Sequence, residues 1–271
     1  MRNYQLWLRF GTVLGLMVLI GLLAIGCSGS EEPLPVTPPP VLQTDPAQII
    51  TLGDIDASDP IKKIKRFRPL ADYLASHLTE FGITEGKVVI SRNVEEAGGY
   101  LVDGTLDIYI DSAFPILAVQ EISDSQIIAR RWKGGDENYW STYITLRDSG
   151  IDRIEDFKGK VLAFEHREST SGFVLPAGTL IQQGFTLREV DCPDAPVDRD
   201  EIGYYFSQDE ENTVVLLMGG LVAGAGFSNL DYKDLSDELQ KDIAFFRKTI
   251  SVPGQLVSIR PGLDPLLSDS E

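Results

Sequence analysis

The chain has 271 residues, 43% of them hydrophobic and 24% charged, and a formal charge of −17. These proportions belong to a globular protein with a real core, and the length suits one large α/β unit or two smaller lobes. A nucleic-acid binder needs a basic face, so an acidic chain excludes DNA or RNA as the expected partner. An anion can still bind where local donors outweigh a distant field that salt screens beyond roughly 8–10 Å. Two cysteines (Cys27, Cys192) and two histidines (His77, His166) provide no CxxC or Cys/His cluster for a structural zinc.

Residues 1–26 read as an export signal. Arg2 and Arg9 give a positive start and 10–25 is apolar without a charge. Leu23, Ala24, Ile25 and Gly26 lead into Cys27, an order similar to a bacterial lipobox, in which the cysteine would carry the lipid. Ala24 stands where leucine is usual, and a retained transmembrane helix over 6–25 is the alternative. Residues 27–46 are rich in Ser, Glu and Pro and cannot bury a core. They are read as a disordered tether, which suits a protein that hands a ligand to a membrane partner.

From residue 49 onward, short apolar strands alternate with amphipathic helices, the pattern of an α/β fold with a mostly parallel sheet. Strands are expected at 49–52, 88–91, 106–110, 127–131, 139–146, 161–164, 222–227 and 244–250. Asp59 before Pro60 marks a helix start, and Ile64, Phe67, Leu70, Leu74, Leu78 and Phe81 then form one buried stripe. Pro69 implies a kink or restart. A short helix is expected between the second and third strands. Others are expected over 171–183, stopped by Gly184, and over 212–218, closed by Gly219 and Gly220.

Three places offer ligand chemistry. Glu168-Ser169-Thr170-Ser171-Gly172-Phe173 joins the 161–164 strand to a helix. It combines hydroxyls, free amides and a helix dipole, the donors an oxyanion needs, though N-capping alone also explains it. Tyr139 and Ser141 begin a strand, where their hydroxyls reach a cleft or simply line an amphipathic strand. Asp111 and Ser112 follow the 106–110 strand at the end where open α/β sheets bind ligands. Asp111 either accepts from a protonated oxyanion or caps the next helix with Ser112. The basic residues Lys62, Lys63, Lys65, Arg66, Arg68, Arg130, Arg131 and Lys133 are read mostly as solvated helix and strand faces, and the acids between Asp191 and Glu201 as a solvated loop. No P-loop, GxSxG elbow or dinucleotide fingerprint is present, so no catalytic residue and no cofactor is expected. His77 is read as structural, and His166 is the one histidine near the hydroxyl turn.

Tyr139-Trp140-Ser141, Arg147-Asp148-Ser149-Gly150-Ile151, Asp156-Phe157-Lys158-Gly159-Lys160 and Ser169-Thr170-Ser171-Gly172-Phe173-Val174-Leu175-Pro176 occur in one order. With Pro69-Leu70-Ala71-Asp72-Tyr73-Leu74, they resemble the periplasmic phosphonate/phosphite/phosphate-binding proteins of ABC importers, the PhnD-like family. The resemblance runs from about 52 to about 259. It implies a type II periplasmic-binding fold, two α/β lobes with a ligand cleft between them: lobe one at 47–138 with 246–271, lobe two at 139–245. It also implies that Ser169, Thr170, Ser171 and Gly172, with Tyr139 and Ser141, hold the phosphorus oxygens.

Asp111 and Ser112 replace an aromatic–glycine pair of many members, Glu210 stands near a usual histidine, and Ala223 replaces an aspartate. Acids at 111 and 210 would suit a protonated oxygen or an amino group at the ligand's other end. The expected protein is a monomeric lipoprotein, anchored at Cys27 in the periplasm or at the cell exterior. It would pass a small phosphorus oxyanion to an ABC permease in the membrane. A sensor of the same fold, signalling to a membrane kinase or cyclase, is the alternative, and a hydrolase using His166 a more distant one.

Overall fold

A computed structural model describes residues 48–56 and 59–263. The export segment, Cys27 and the tether over 1–46 lie outside them. Among the described residues no helix is long and apolar enough to cross a membrane.

Two sheets organise the chain. The first joins β1 (Gln48–Ile55), β2 (Ile83–Ser91), β3 (Ile108–Asp111), β4 (Gln126–Arg131) and β11 (Gln255–Ile259) in the order β2-β1-β3-β11-β4. The second joins β5 (Asn138–Leu146), β6 (Val161–Phe164), β7 (Thr186–Glu189), β8 (Glu201–Phe206), β9 (Gly224–Ser228) and β10 (Ile243–Pro253) as β10-β5-β9-β6-β8-β7. The sheets are mixed and not mostly parallel. β11 runs antiparallel to β3 and β4, and β5 runs antiparallel to both β9 and β10. These reversals follow from the chain crossing between the sheets twice, so that each sheet receives strands entering from the other.

Both sheets are buried on both faces, which explains why their central strands read as continuous apolar runs. Ile50, Leu52 and Ile110 face α1 (Pro60–His77), while Ile55 and Tyr109 face α2 (Val94–Asp103) and α3 (Ala113–Ser123). In β6, Leu162 and Phe164 face α4 (Leu175–Gln182), and Val161 and Ala163 face α5 (Glu210–Met218). α6 (Asn229–Asp234) and α7 (Asp237–Asp242) follow β9.

Asp59 caps α1 by accepting from the Lys62 amide at 3.0 Å, with Pro60 in the first turn. The helix continues through Pro69 without the expected restart. Pro69 is exposed, where a freed carbonyl can face water, and buried Phe67, Ala71 and Ala75 hold both halves to the sheet. Gly86 makes that packing possible, since a Cβ there would lie 2.1 Å from the Ala71 carbonyl oxygen.

The crossings are short and adjacent. Residues 132–137 lead from β4 to β5, and Gly254 alone separates β10 from β11. Its N–H donates to the Glu137 carbonyl at 2.9 Å. A Cβ on Gly254 would lie 3.3 Å from the carbonyl oxygens of Arg131 and Asp136, so the two crossings pack against each other. Residues 246–253, expected to belong to the first lobe, stay on the second sheet as most of β10, pairing β5 out to Pro253 opposite Asn138.

Candidate functional site

A cavity of ≈ 1110 Å³ lies between the two sheets' lobes. It collects the loop after β1 with the first turns of α1, the β3–α3, β6–α4 and β8–α5 junctions, the stretch from β9 to α7, and residues of both crossings. This is the carboxyl end of central strands in both sheets, where loop side chains and helix starts converge. Of the expected residues, Asp111, Ser112, Tyr139, Ser169, Thr170, Ser171 and Glu210 line it, and Ser141 and Gly172 do not.

The β6–α4 junction winds as a π-helical turn over Thr170–Val174. Ser169 caps it by accepting from the Gly172 amide at 2.8 Å and donates its own hydrogen to Glu165 Oε2 at 2.6 Å. The capping role is therefore real for Ser169, and its donor is spent on a carboxylate. Thr170 joins the lobes: its Oγ1 accepts from the Phe114 amide at 2.9 Å and donates to Ser112 Oγ at 3.0 Å. The Tyr139 hydroxyl meets the hydroxyls of Thr170, Ser112 and Ser171, and burial pushes its pKa up to about 12, so it remains a neutral donor. Four hydroxyls, one from lobe one and three from lobe two, thus gather at one point of the cavity.

Ser141 sits two residues further along β5 than Tyr139, roughly 6.5 Å deeper. There β9 and β10 cover it: its hydroxyl donates to the Phe227 carbonyl at 3.3 Å and its amide to Thr249 Oγ1 at 3.0 Å. Gly172 has its amide committed to Ser169, and a Cβ would fall 2.5 Å from Glu165 Cβ. Its role is close packing of the turn on Glu165.

Asp111 accepts from Tyr109 Oη at 2.8 Å and from the Ser112 amide at 2.6 Å, which holds its carboxylate at the mouth of α3. Behind it, Lys63 Nζ reaches buried Asp54 at 2.8 Å, so Lys63 is no solvated surface lysine. Burial and then the charge of Asp111 push Asp54 up to about 7 despite Lys63. Burial works against the Lys63 charge, but Asp54 and Asp111 outweigh it and raise its pKa.

On the opposite side, burial favours the neutral form of Glu165. Hydrogen bonding and charge from His166, whose Nε2 is 3.3 Å away, overcome this and hold Glu165 below its usual range. Burial likewise opposes charge on His166, and Glu165 more than compensates, raising its pKa. Glu210 is pushed up to about 7 by burial and by the charges of Glu165 and Asp231. Asp231, also raised by burial, has Lys133 at 3.6 Å.

Sequence reasoning missed Asp54, Glu165, Lys133 and Asp231. Glu165 follows a buried strand directly, and Asp231 comes three residues after one, so strand-end position was the available signal. Lys133 carried no such signal, because the crossing that places it is a tertiary feature. Among the described residues no cluster of His, Cys, Asp and Glu could hold a metal ion.

The sequence from 56 to 269 matches the family described as ABC transporter, phosphonate, periplasmic substrate-binding protein. The chain belongs to that family. Its curated relatives include the phosphate-import protein PhnD of Mycolicibacterium smegmatis, 29% identical over 173 residues, 61% of this chain and 50% of the relative. The chain therefore spans about half the length of that relative. Solved structures with the same type II periplasmic-binding fold include XAC2383 from Xanthomonas citri bound to chloride ion (24% identity, TM-score 0.77, covering 81% of this chain and 80% of that one). PhnD1 from Prochlorococcus marinus in complex with methylphosphonate is a second (16% identity, TM-score 0.59, 82% and 79%). Within this family fold, the hydroxyl cluster and its carboxylate surround occupy the cleft between the lobes.

Proposed function

We propose that this protein is the substrate-binding component of an ABC importer and captures a phosphorus oxyanion, phosphonate or phosphite before phosphate, between its lobes for delivery to a membrane permease. The observation that carries this reading is the meeting of Ser112 from one lobe with Tyr139, Thr170 and Ser171 from the other at a single point of the cleft. Neutral donors held in place by burial can replace a tetrahedral anion's water shell at little reorganisation cost. The names of the relatives support the ligand class, one being a phosphate-import protein and one a methylphosphonate complex. In this reading Cys27 anchors the chain by lipid on the outer face of a membrane, and residues 27–46 give the lobes reach. The protein acts as a monomer, binds without turnover, and His166 serves to hold Glu165 ionised.

The Thr170 contacts with Ser112 and Phe114, and Glu168 Oε1 accepting from the Val94 amide at 3.2 Å, link the lobes directly. A ligand that adds bonds to the same hydroxyls would favour this closed arrangement over an open one.

Calorimetry with methylphosphonate, phosphite, phosphate and methanesulfonate tests the reading. Binding of at least one phosphorus ligand is expected, with a Ser171→Ala/Tyr139→Phe variant losing roughly 100-fold in affinity, as two charge-assisted hydrogen bonds would give. Retention of full affinity by that variant, or silence toward every phosphorus ligand, refutes it.

A further inference from the structure

Beside the hydroxyl cluster, β3, β11 and β4 meet at one edge of the first sheet. Leu256 pairs Asp111 and Gln255 pairs Arg131, so Gln255 comes opposite Ser112 on one side and Arg131 on the other. Ile110 and Val257 pack toward α1, and alternation turns Ser112 and Gln255 to that same face. Arg131 joins them there, its guanidinium carbon 5.4 Å from the centre of the Phe67 ring. Arg131 Nη1 donates to Gln255 Oε1. A guanidinium only donates, so it fixes the oxygen end of the amide and leaves Nε2 directed elsewhere. Gln255 lines the cavity, only 9% exposed, and its Nε2 makes no hydrogen bond among the described residues. Arg66 of α1 lines the same cavity and makes no ion pair among the described residues.

We propose that the cleft takes a short organophosphonate carrying a carboxylate, whose two oxygens are received by the Arg66 guanidinium and by Gln255 Nε2. The inference rests on the oxyanion reading of the hydroxyl cluster, which would hold the phosphorus end. Two guanidiniums in one corner repel each other: burial first, and then the Arg66 charge, push Arg131 below its ordinary range. The acids beside them do not remove that excess. Asp54 is held by Lys63 at 2.8 Å, and Asp111 offsets one guanidinium while it accepts from Tyr109 and the Ser112 amide. One positive charge is left over, which a carboxylate matches and a second phosphonate group exceeds. Adjacent strands lie about 4.8 Å apart, so the step from Ser112 to Gln255 is spanned by two methylenes between phosphorus and carboxyl carbon.

The test is calorimetric titration of the purified chain with 3-phosphonopropionate, its amide 3-phosphonopropionamide, ethane-1,2-diphosphonate and methylphosphonate. The amide keeps the shape of the acid without its second charge. The acid is expected to bind roughly tenfold or more tighter than the amide, and tighter than methylphosphonate and the diphosphonate. Arg66→Gln is expected to cut the ratio of acid to amide affinity by roughly fivefold. That ratio is the readout because a defect in folding would weaken both ligands alike, and the variant's melting curve checks that it folds.

Methylphosphonate or the amide binding as tightly as the acid overturns this inference and leaves the oxyanion reading standing. Tighter binding of the diphosphonate, or an undiminished ratio in Arg66→Gln, overturns it as well. Failure of every phosphorus compound breaks the oxyanion reading, and this inference with it.

Discussion

On the first lobe the cleft is bordered by Lys62, Lys63, Arg66 and Arg92 with Asp56 and Asp111 among them, whereas on the second Glu165, Glu168, Glu210 and Asp231 stand beside His166 and Arg167. The two walls differ in more than sign. Most of the first wall's cations already have partners: Lys63 holds Asp54, Arg92 grips Glu96 at 2.8 Å, and Lys62 reaches across to Glu211 at 3.6 Å. On the second wall burial, and after it the charge of neighbouring acids, raises Glu210, Asp231 and Glu168, while His166 holds Glu165 below its usual range. Neither wall offers a simple positive surface to an anion. Recognition in a chain of charge −17 therefore falls to the neutral hydroxyls between the walls, where distance and burial matter more than net charge.

The contrast can be broken from the first wall with the largest expected effect. Lys63→Met leaves Asp54, 1% exposed, without its cation. Breaking such a pair should cost about 3 kcal/mol at pH 8, read by denaturant unfolding. The loss should shrink at pH 5.5, where Asp54 takes up a proton instead, and Asp54→Asn added to Lys63→Met should restore most of it. An equal loss at both pH values would mean that the lysine acts through packing alone.

The second wall should respond in the opposite direction. Glu210 has a folded pKa of about 7 against an ordinary 4.5, so between those values the folded chain retains a proton that the unfolded chain has released. Stability must then fall as pH rises through that window. Asp54 and His166, both raised, push the same way. Glu210→Gln should accordingly stabilise the protein by about 1 kcal/mol at pH 7.5, after allowance for solvent screening. It should also flatten the decline in melting temperature between pH 5 and 7.5. A variant with an unchanged pH profile would show that Glu210 is better solvated than the crowding of the wall implies.

Between the walls the effect should be smallest. Lys62 and Glu211 are 70% and 74% exposed, and Lys62→Ala should cost under about 0.5 kcal/mol. A larger loss, measured by thermal unfolding at low and high salt, would show that attraction between the lobes contributes to closure.

Much of the scaffold was readable from residue pattern. The apolar run at 161–164, the Asp59-Pro60 helix start and the stop at Gly184 all stand where propensity and capping chemistry place them. β7 and β11 were not, because TLRE and QLVSI are short and carry polar residues, and their strand character comes from neighbours that complete their ladders; β8 was missed although Ile202, Tyr204, Tyr205 and Phe206 favour a strand. Of the two expectations at Pro69, the restart does not occur, because the packing of Phe67, Ala71 and Ala75 outweighs one missing hydrogen bond.

The site divides along a similar line. Seven of the residues singled out for ligand chemistry converge on one cavity because strand ends and helix starts are local features that sequence displays. Ser141 escaped because alternation along a strand places a side chain on a face without showing what covers it.

From its sequence alone, then, this protein's fold class, its family and the hydroxyl turn at Ser169 to Ser171 could be determined, since each depends on nearest neighbours in the chain and on short-range periodicity. Only the tertiary structure decided that Ser169 serves Glu165, that Thr170 joins the two lobes through Ser112 and Phe114, and that Lys63 is drawn to buried Asp54 and Lys133 to Asp231. The physical reason is that burial and charge sum over whatever groups the two crossings bring together, and those groups lie tens of residues apart along the chain.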